Sequence, residues 1–405
     1  MIELAVEQGY ETITVRGLSR AAGVSTRSFY SHFANVEDCF VGTHESVMRQ
    51  AVHSASVERD PDESWEAGIR ARVRSLMENI AADPQAARLV LVETFAVRPG
   101  IQDRLGDALA PFEQLMTESL ASAPTRVVAP PHLVTGIAAG VMCVARMTSL
   151  TDRAGELPGL ANEVANWMLS LPSEQLLGAR ITRSRSLVPA PSSDAELQTP
   201  AGPSGNDRQA DERARVFNAV AKLEVAGGFE SLTGPRIRAE AGVSRRRFDA
   251  SFADVNECFL GAVDAVAGSA ATCAERQGKG APNWSRGVHR QVGALCVEVA
   301  RDERLARLAF VDLLAPGRVG LLHRERLIAL GAARLRATAP TAERPSALAA
   351  EASIAAVWNI ANVEVEAGRA KVLPRLAPLF TFLILTPAIG AATAIGAIRA
   401  EGLPF

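Results

Sequence analysis

The apolar positions of the chain recur at the three- and four-residue spacing of amphipathic helices, and two-residue alternation typical of strands is hard to find. One such stripe lies in Arg70–Ile80, where Val73, Leu76, Met77 and Ile80 share a helical face. Ala, Leu, Arg and Glu, which favour helices, dominate the composition. The pattern therefore predicts an all-α chain.

A short helix is predicted close to the N-terminus. Thr14 can accept a hydrogen bond at its start, and Val15, Leu18 and Ala22 fall on one face. Gly23 can adopt the left-handed conformation that ends a helix.

A second short helix is predicted directly after this turn. Val24 is expected to fill the corner between the helices, and Ser25 can cap the second one. Phe29 and Phe33 are four residues apart and are expected to point inward. Two short helices joined by a glycine-containing turn form the helix-turn-helix pattern, whose second helix lies in the major groove of DNA.

The chain repeats itself at a constant offset. Glu7–Gly42 aligns without a gap with Ala226–Gly261, and the shared Ala-Gly-Val-Ser run marks the turn in both. The register continues downstream, where Trp65 aligns with Trp284, and later segments correspond after a small slip. We therefore predict a tandem duplication of one domain pair. The predicted boundaries are 1–45 for the first helix-turn-helix head, 46–180 for the first helical body, 181–209 for a flexible linker, 210–265 for the second head and 266–405 for the second body.

The N-terminal motif resembles the DNA-binding domain of TetR-family transcriptional regulators. The resemblance is carried by Gly9-Tyr10, by the run Leu18–Ser25 (LSRAAGVS) and by Phe29–Phe33 (FYSHF). Ala226–Gly261 resembles the same domain less closely. The resemblance implies two three-helix DNA-binding heads, each on a larger helical ligand-binding and dimerisation body, in a tandem fusion.

The resemblance also implies which residues contact DNA. Thr14 would hold a backbone phosphate at a helix N-terminus, and Tyr30 and His32 would bind further phosphates. The implied set is Thr14, Arg16, Ser25, Thr26, Arg27, Ser28, Tyr30 and His32 in the first head, and Thr233, Arg236, Arg238, Ser244, Arg245, Arg246 and Arg247 in the second.

Both heads depart from the family pattern. Val36 stands where the family often has lysine, and the first helix of the first copy is expected to be short because Met1 aligns with Val220. Tyr30 aligns with Asp249, whose charge would repel phosphate. The whole chain carries 43 Lys and Arg against 45 Asp and Glu, for a net charge of −2. DNA binding would therefore depend on a few placed contacts rather than on bulk charge.

The family resemblance implies a small-molecule effector and a paired body. Candidate pocket residues are Glu93, Met142, Trp167, Asp312 and Trp358. The alternatives are that the acids pair with an arginine or reach the surface, and that Met142 and the tryptophans belong to the core or an interface. The last two helices of each body would form a four-helix bundle, either as an intrachain pseudo-dimer or as a homodimer. An extended linker of roughly 90 Å permits both arrangements. The candidate bundle segments are His132–Ser149 with Leu157–Leu171 and Ser346–Glu366 with Leu373–Leu385.

The sequence contains no GxSxG, HExxH, Walker or GxGxxG motif, and its six histidines form no close metal-ligand pair. We predict neither an enzyme nor a cofactor or metal site. The few cysteines without CxxC pairs, and an N-terminus unlike a signal peptide, indicate a cytoplasmic protein. The uncharged stretch Leu376–Ile398 is expected to be a buried helix rather than a membrane span. The predicted function is a sequence-specific transcriptional regulator of double-stranded DNA. By family habit it would be a repressor released by its effector. The alternative is a ligand- or protein-binding module whose heads no longer bind DNA.

Overall fold

The computed structural model describes residues 1–56, 64–97, 105, 110–123, 131–171 and 205–401. These residues form α-helices, short 3₁₀ turns and connecting loops, and they contain no β-strand. The all-α prediction is therefore confirmed. The helices of the first half are α1 (Ile2–Gln8), α2 (Val15–Ala21), α3 (Thr26–Tyr30), α4 (Val36–Ala55), α5 (Trp65–Ala82), α6 (Pro84–Leu91), α7 (Ala110–Ala121), α8 (Pro131–Leu150) and α9 (Leu157–Ser170).

The second half has the same kind of helices in a similar order. They are α10 (Gly205–Gly227), α11 (Gly234–Ala241), α12 (Arg245–Ser251), α13 (Val255–Gly278), α14 (Trp284–Arg301), α15 (Glu303–Phe310), α16 (Arg318–Thr338), α17 (Ala347–Glu366), α18 (Leu373–Ile389) and α19 (Ala391–Arg399). Helices α5 and α14 begin and end at residues that the repeat aligns, as do α6 and α15. Helices α8 and α17 are equally long and correspond end to end after the slip in register.

Three of the predicted boundaries fall inside helices. Helix α10 begins at Gly205, inside the predicted linker, and 181–204 lie outside the described residues. The segment after Gly205 contains polar helix-forming residues and no proline, so a helix can extend into it. Each predicted boundary between head and body, at residues 45 and 265, falls inside one continuous helix, α4 or α13. Each of these helices therefore belongs to both a head and a body.

The described chain divides into two compact units. One comprises 1–180, 325–360 and 382–396, and the other comprises 181–324, 361–381 and 397–405. The first unit therefore contains helices α1–α9 together with most of α16, α17 and α19 and the end of α18.

The first head is packed onto the first body through an apolar cluster. Ala5 of α1, Phe40 and Val41 of α4 and Leu89 of α6 are buried together. The ring of Tyr10 meets that of Phe40 edge-on at 5.0 Å. Because interior packing transmits small shifts, α4 connects the head mechanically to the body.

The second unit contains the corresponding aromatic pair, in which Phe229 meets Phe259 edge-on at 4.9 Å. Its C-terminal segment is held by ion pairs from α14. Arg290 Nε donates to Glu401 Oε2 at 2.8 Å, and Arg286 pairs with the same carboxylate. These bonds lower the pKa of Glu401. The end of α19 is therefore fixed against α14.

In the part of the chain that the structure describes, two helical segments are long and apolar enough to cross a membrane, His132–Leu150 and Ala370–Ile389. Most of each segment is buried inside the protein, with buried shares of 67% and 61%. Within Leu376–Ile398, α18 continues through Pro378 and Pro387 and ends before Gly390, whose φ is 75°. A buried core helix passes the same length and composition test, so these segments are weak evidence for a membrane.

His44 is a buried titratable group in α4. It is only 4% exposed, and its Nδ1 atom lies buried without a hydrogen-bond partner among the described residues. Burial lowers the pKa of His44 to about 4 from an ordinary value of 6.5. The corresponding residue of the second half is Val263, which is completely buried.

The variant His44→Val is expected to remove an acid-dependent loss of stability. The unfolded chain takes up a proton near pH 6.5 and the folded chain only near pH 4, so stability is lost as the pH falls through this window. From pH 7 to pH 5 the wild type should lose about 2 kcal/mol more than the variant. Denaturant titrations at the two pH values measure this difference, and equal losses would contradict the burial of a neutral imidazole.

Candidate nucleic-acid interface

Helices α2 and α3 form a capped helix-turn-helix in the first unit. Thr14 Oγ1 accepts a hydrogen bond from the Gly17 amide at 3.1 Å, and Ser25 Oγ accepts one from the Ser28 amide at 3.0 Å. Gly23 has a φ of 68° in the turn, where glycine avoids the strain of a Cβ atom. Both predicted caps and the predicted left-handed turn are therefore present.

A small apolar cluster holds the two helices together. Leu18, Phe29 and Cys39 are buried, and half-buried Phe33 and Val36 pack against them. Val36 therefore belongs to the core of the head. Burial raises the pKa of the Cys39 thiol.

Val24 does not fill the corner between these helices. Its side chain is 44% exposed, although its backbone amide donates to the Ser19 carbonyl at 2.9 Å. Leu18 and Phe29 provide the contact between the helices instead. The prediction for Val24 was therefore wrong.

The predicted DNA-contacting residues of the first head are accessible to solvent. All of them are exposed except Ser28, which is half-buried. Tyr30 is 59% exposed although it is aromatic. Neither Arg16 nor Arg27 forms an ion pair within the described part of the chain. Both guanidinium groups are therefore available to a partner.

Helices α11 and α12 form a similar arrangement in the second unit. Gly242 has a φ of 64°, and the Val243 amide donates to the Arg238 carbonyl at 3.1 Å. Phe248 and Phe252 are buried, and their ring centroids lie 5.5 Å apart. Thr233 and Ser244 occupy the N-cap positions, but their side chains form no capping bond.

Most arginines of the second head are engaged within the head. Arg245 pairs with Asp249 at 3.3 Å, so the carboxylate predicted to repel phosphate faces a positive charge. Arg247 pairs with Glu212 of α10. Arg236 donates to the Ser231 carbonyl at 2.9 Å, and Arg238 lies 5.9 Å above the ring of Phe248.

Arg246 is the exception among these arginines. It is exposed and forms no ion pair with any described residue. It aligns with Arg27, and both are the second residue of the helix that follows the turn. Arg27 and Arg246 are therefore arginines at the same helical position, both exposed and without an ion pair to a described residue.

Two acids of the predicted pocket lie beside arginines. Glu93 is buried, and its Oε1 lies 3.6 Å from Arg88 Nε. In the other unit, Asp312 lies 3.5 Å from Arg307 Nη2. Each acid is therefore accompanied by an arginine from the helix just before it.

Asp312 also has a carboxyl neighbour that sequence reasoning missed. Glu224 of α10 is 6% exposed and hydrogen-bonds with Asp312. Burial, with the charge and hydrogen bond of Asp312, raises the pKa of Glu224 to about 7, against the opposing effect of Arg307. The aligned residue in the first half is Ala5, so the repeat alone gave no signal for this acid pair.

Two adjoining cavities lie inside the first unit. The larger, of about 100 Å³, is walled mainly by apolar residues of α4, α5 and α6, with Phe112 of α7 and Met142 of α8. A smaller one of about 40 Å³ shares Leu76 and Phe112 with it. Of the predicted pocket residues, only Met142 lines either cavity.

The two tryptophans lie elsewhere in this unit. Trp167 Nε1 donates to Ser353 Oγ at 3.0 Å, and Trp358 packs against the cluster formed by Cys143, Ile328 and Ala355. The predicted pocket residues therefore do not converge on one site. Among the described residues, no group of three or more His, Cys, Asp or Glu side chains could hold a metal ion.

Comparisons with known proteins place the first head in a family. Residues 2–42 match the family described as bacterial regulatory proteins, tetR family. The fatty acid degradation regulator FadR from Bacillus halodurans is 19% identical, with a TM-score of 0.38, over 42% of this chain and 93% of that chain. The transcriptional regulator FadR from Bacillus subtilis, solved in complex with stearoyl-CoA, is 17% identical with a TM-score of 0.38, over 42% and 94%. The family match therefore covers residues 2–42, which lie within the first head.

Proposed function

We propose that this chain is a cytoplasmic, sequence-specific DNA-binding regulator in which two TetR-type heads and bodies are fused in tandem. The observation that carries the proposal is the shared position of Arg27 and Arg246. Both are exposed, free of ion pairs with described residues and placed in the first turn of the helix after the turn. That turn of a recognition helix is the part that reaches base edges in the major groove.

Arginine at this position suits base reading. Its planar guanidinium can donate two hydrogen bonds to the O6 and N7 atoms of guanine. The first head is net negative, with three arginines against six acids in residues 1–45. Affinity therefore depends on a few direct contacts, and their loss is not replaced by general attraction to phosphate.

The tandem arrangement is supported by the matching helices and backbone of the two halves. The positive φ angles at Gly9 and Gly23 recur at the aligned residues Gly228 and Gly242. Asp152, with a φ of 55°, has its counterpart in Gly368, with a φ of 69°. Non-glycine residues rarely adopt this conformation, so its recurrence at aligned positions favours a duplicated fold.

Contacts inside the first unit support a pairing of the two bodies. Helices α8 and α9 come from the first half, and they contact α16, α17 and α18 of the second. These include both pairs of helices proposed for a four-helix bundle. A pseudo-dimer within one chain would present two unlike recognition helices, and we expect an operator with dissimilar half-sites.

The larger cavity is the proposed effector site. Its lining is mostly apolar, which suits a small apolar molecule. Met48 and Ala51 of α4 form part of the wall, and Cys39 and Phe40 of the same helix lie in the core of the head. A ligand that displaces this helix would tilt the head and release DNA.

A gel-shift titration with DNA flanking the protein's own gene tests the proposal. We expect a complex that weakens as salt rises and that exceeds binding to scrambled DNA of equal length. Equal binding to both DNAs would contradict sequence reading.

A second candidate function is a ligand- or protein-binding module without DNA binding. It is favoured by the internal pairing of Arg245 and Arg247 in the second head. The absence of any shift by the folded full-length chain, at low salt, would support this candidate and contradict the first.

A further inference from the structure

We propose that two polar contacts, Arg146–Glu325 and Trp167–Ser353, make the first body pair with the second body of the same chain and not with another copy of itself. These are called the pairing contacts below. The proposal rests on the proposed pairing of the two bodies. It adds which partner is selected and which residues select it.

The first pairing contact is a buried ion pair. Arg146 Nη1 lies 2.7 Å from Glu325 Oε1, and the side chains are 12% and 3% exposed. Other polar atoms of the two side chains also form hydrogen bonds. Arg146 Nε donates to the Leu91 carbonyl at 3.1 Å. The Cys143 thiol donates to Glu325 Oε2 at 3.4 Å. Geometry of this kind keeps both buried charges satisfied.

The second pairing contact is a buried neutral hydrogen bond. Trp167 Nε1 donates to Ser353 Oγ at 3.0 Å. Trp167 is 2% exposed and Ser353 is completely buried. At this depth, solvent water cannot take the place of either hydrogen-bond partner.

Neither contact has a counterpart on the other side of the repeat. Arg146 corresponds to Asn362 when α8 is aligned with α17, and Glu325 corresponds to Gly106 or Leu109, depending on where the register slips. Trp167 corresponds to Leu383, and Ser353 corresponds to Ile137. Each polar contact therefore occurs once between the bodies, where a symmetric dimer would form it twice or not at all.

Because each contact needs one residue from each body, a pair of two identical bodies would be less stable than the unlike pair. Two first bodies would bury Arg146 without a carboxylate, since the sequence has glycine or leucine at the aligned position, and would place the Trp167 N–H opposite Ile137. Two second bodies would bury Glu325 opposite Asn362. A buried charge or donor that loses its partner is costly, whereas the unlike pair satisfies all four groups. The occupant of the face on α8 and α9 is therefore the second half of the same chain.

Charge reversal in the full-length chain tests this selection. The wild type should scatter light as one chain of 42.9 kDa. Arg146→Glu and Glu325→Arg should each lower the melting temperature by roughly 10 °C, because like charges then meet in a buried site. The double variant should recover at least half of that loss. If a single reversal fails to fold, Glu325→Gln and the double variant carry the same comparison.

A mixing experiment separates pairing within a chain from pairing between chains. The two single variants, refolded together, complement each other only if α8 of one chain pairs with α16 of another. We expect no recovery and no species of twice the mass. Recovery on mixing, a wild-type dimer, unchanged melting of the single variants or no recovery in the double variant would each overturn the proposal. None of these measurements requires DNA, so a failure to bind DNA leaves the pairing result independent.

Discussion

Replacing Arg27 by alanine is expected to weaken binding of the full chain to its operator by roughly 5- to 150-fold. The range corresponds to the loss of one two-point contact between arginine and guanine. Arg27 is exposed and has no ion pair within the described residues, so its removal leaves the packing of the head unchanged. Fluorescence anisotropy with labelled operator measures the loss, and the melting curve should be unaltered.

Arg246→Ala is the companion variant in the second head. Because the heads are proposed to read different half-sites, each variant should relax sequence preference in one half-site only. Competition with operators mutated in one half or the other distinguishes them. A loss confined to Arg27→Ala would show that the second head makes no base contact.

Arg49→Ala is a matched control for the removed charge. Arg49 is also exposed and lies in α4, outside the helix-turn-helix. Its removal should change affinity by less than about 3-fold at physiological salt, because a distant exposed charge is screened. Equal losses for Arg49→Ala and Arg27→Ala would contradict direct reading by Arg27.

Gly140→Ala is expected to destabilise the first unit by about 1–3 kcal/mol, the usual result of adding a methyl group to a filled core. A Cβ atom at Gly140 would meet the ring of Trp167 and would lie 2.9 Å from the Ala352 carbonyl oxygen. The ring cannot move freely, because Trp167 is buried and bonded to Ser353. Denaturant unfolding monitored by tryptophan fluorescence measures the change.

Gly159→Ala provides the control within a neighbouring helix. A Cβ atom at Gly159 would meet no atom within 4 Å, so the substitution should stabilise α9 by up to about 1 kcal/mol. In the second half, Ala356 stands at the counterpart of Gly140, and the smaller Leu383 stands at the counterpart of Trp167. A Cβ atom is therefore present where the facing side chain is smaller. Effects of the same sign in Gly140→Ala and Gly159→Ala would contradict the close packing described here.

The helix-turn-helix of the first head could be read from the sequence in detail. Its signals are local, because Thr14 and Ser25 cap helices through amides three residues away and Gly23 supplies its own left-handed conformation. The inward phenylalanine Phe29 follows from helical spacing alone. Val24 was misread because a single apolar residue beside a turn can face either the core or solvent.

The candidate effector site could be read only in part. Met142 lines a cavity, but Trp167 and Trp358 lie in contacts with other helices. A tryptophan at helical spacing has the same sequence signature in a pocket, a core or an interface. Which of these it occupies depends on the helix that arrives from elsewhere in the chain.

The all-helical class, the offset of the repeat and the helix-turn-helix of the first head follow from the sequence alone, because each depends on neighbours along the chain or on simple alignment. The three-dimensional fold was needed to show that Arg245 and Arg247 are paired while Arg246 has no ion pair with a described residue, and that Glu224 meets Asp312. It was also needed to show that Arg146 of α8 meets Glu325 of α16, far away along the chain. The energies of these charges depend on burial and on distant partners, which helical periodicity does not encode.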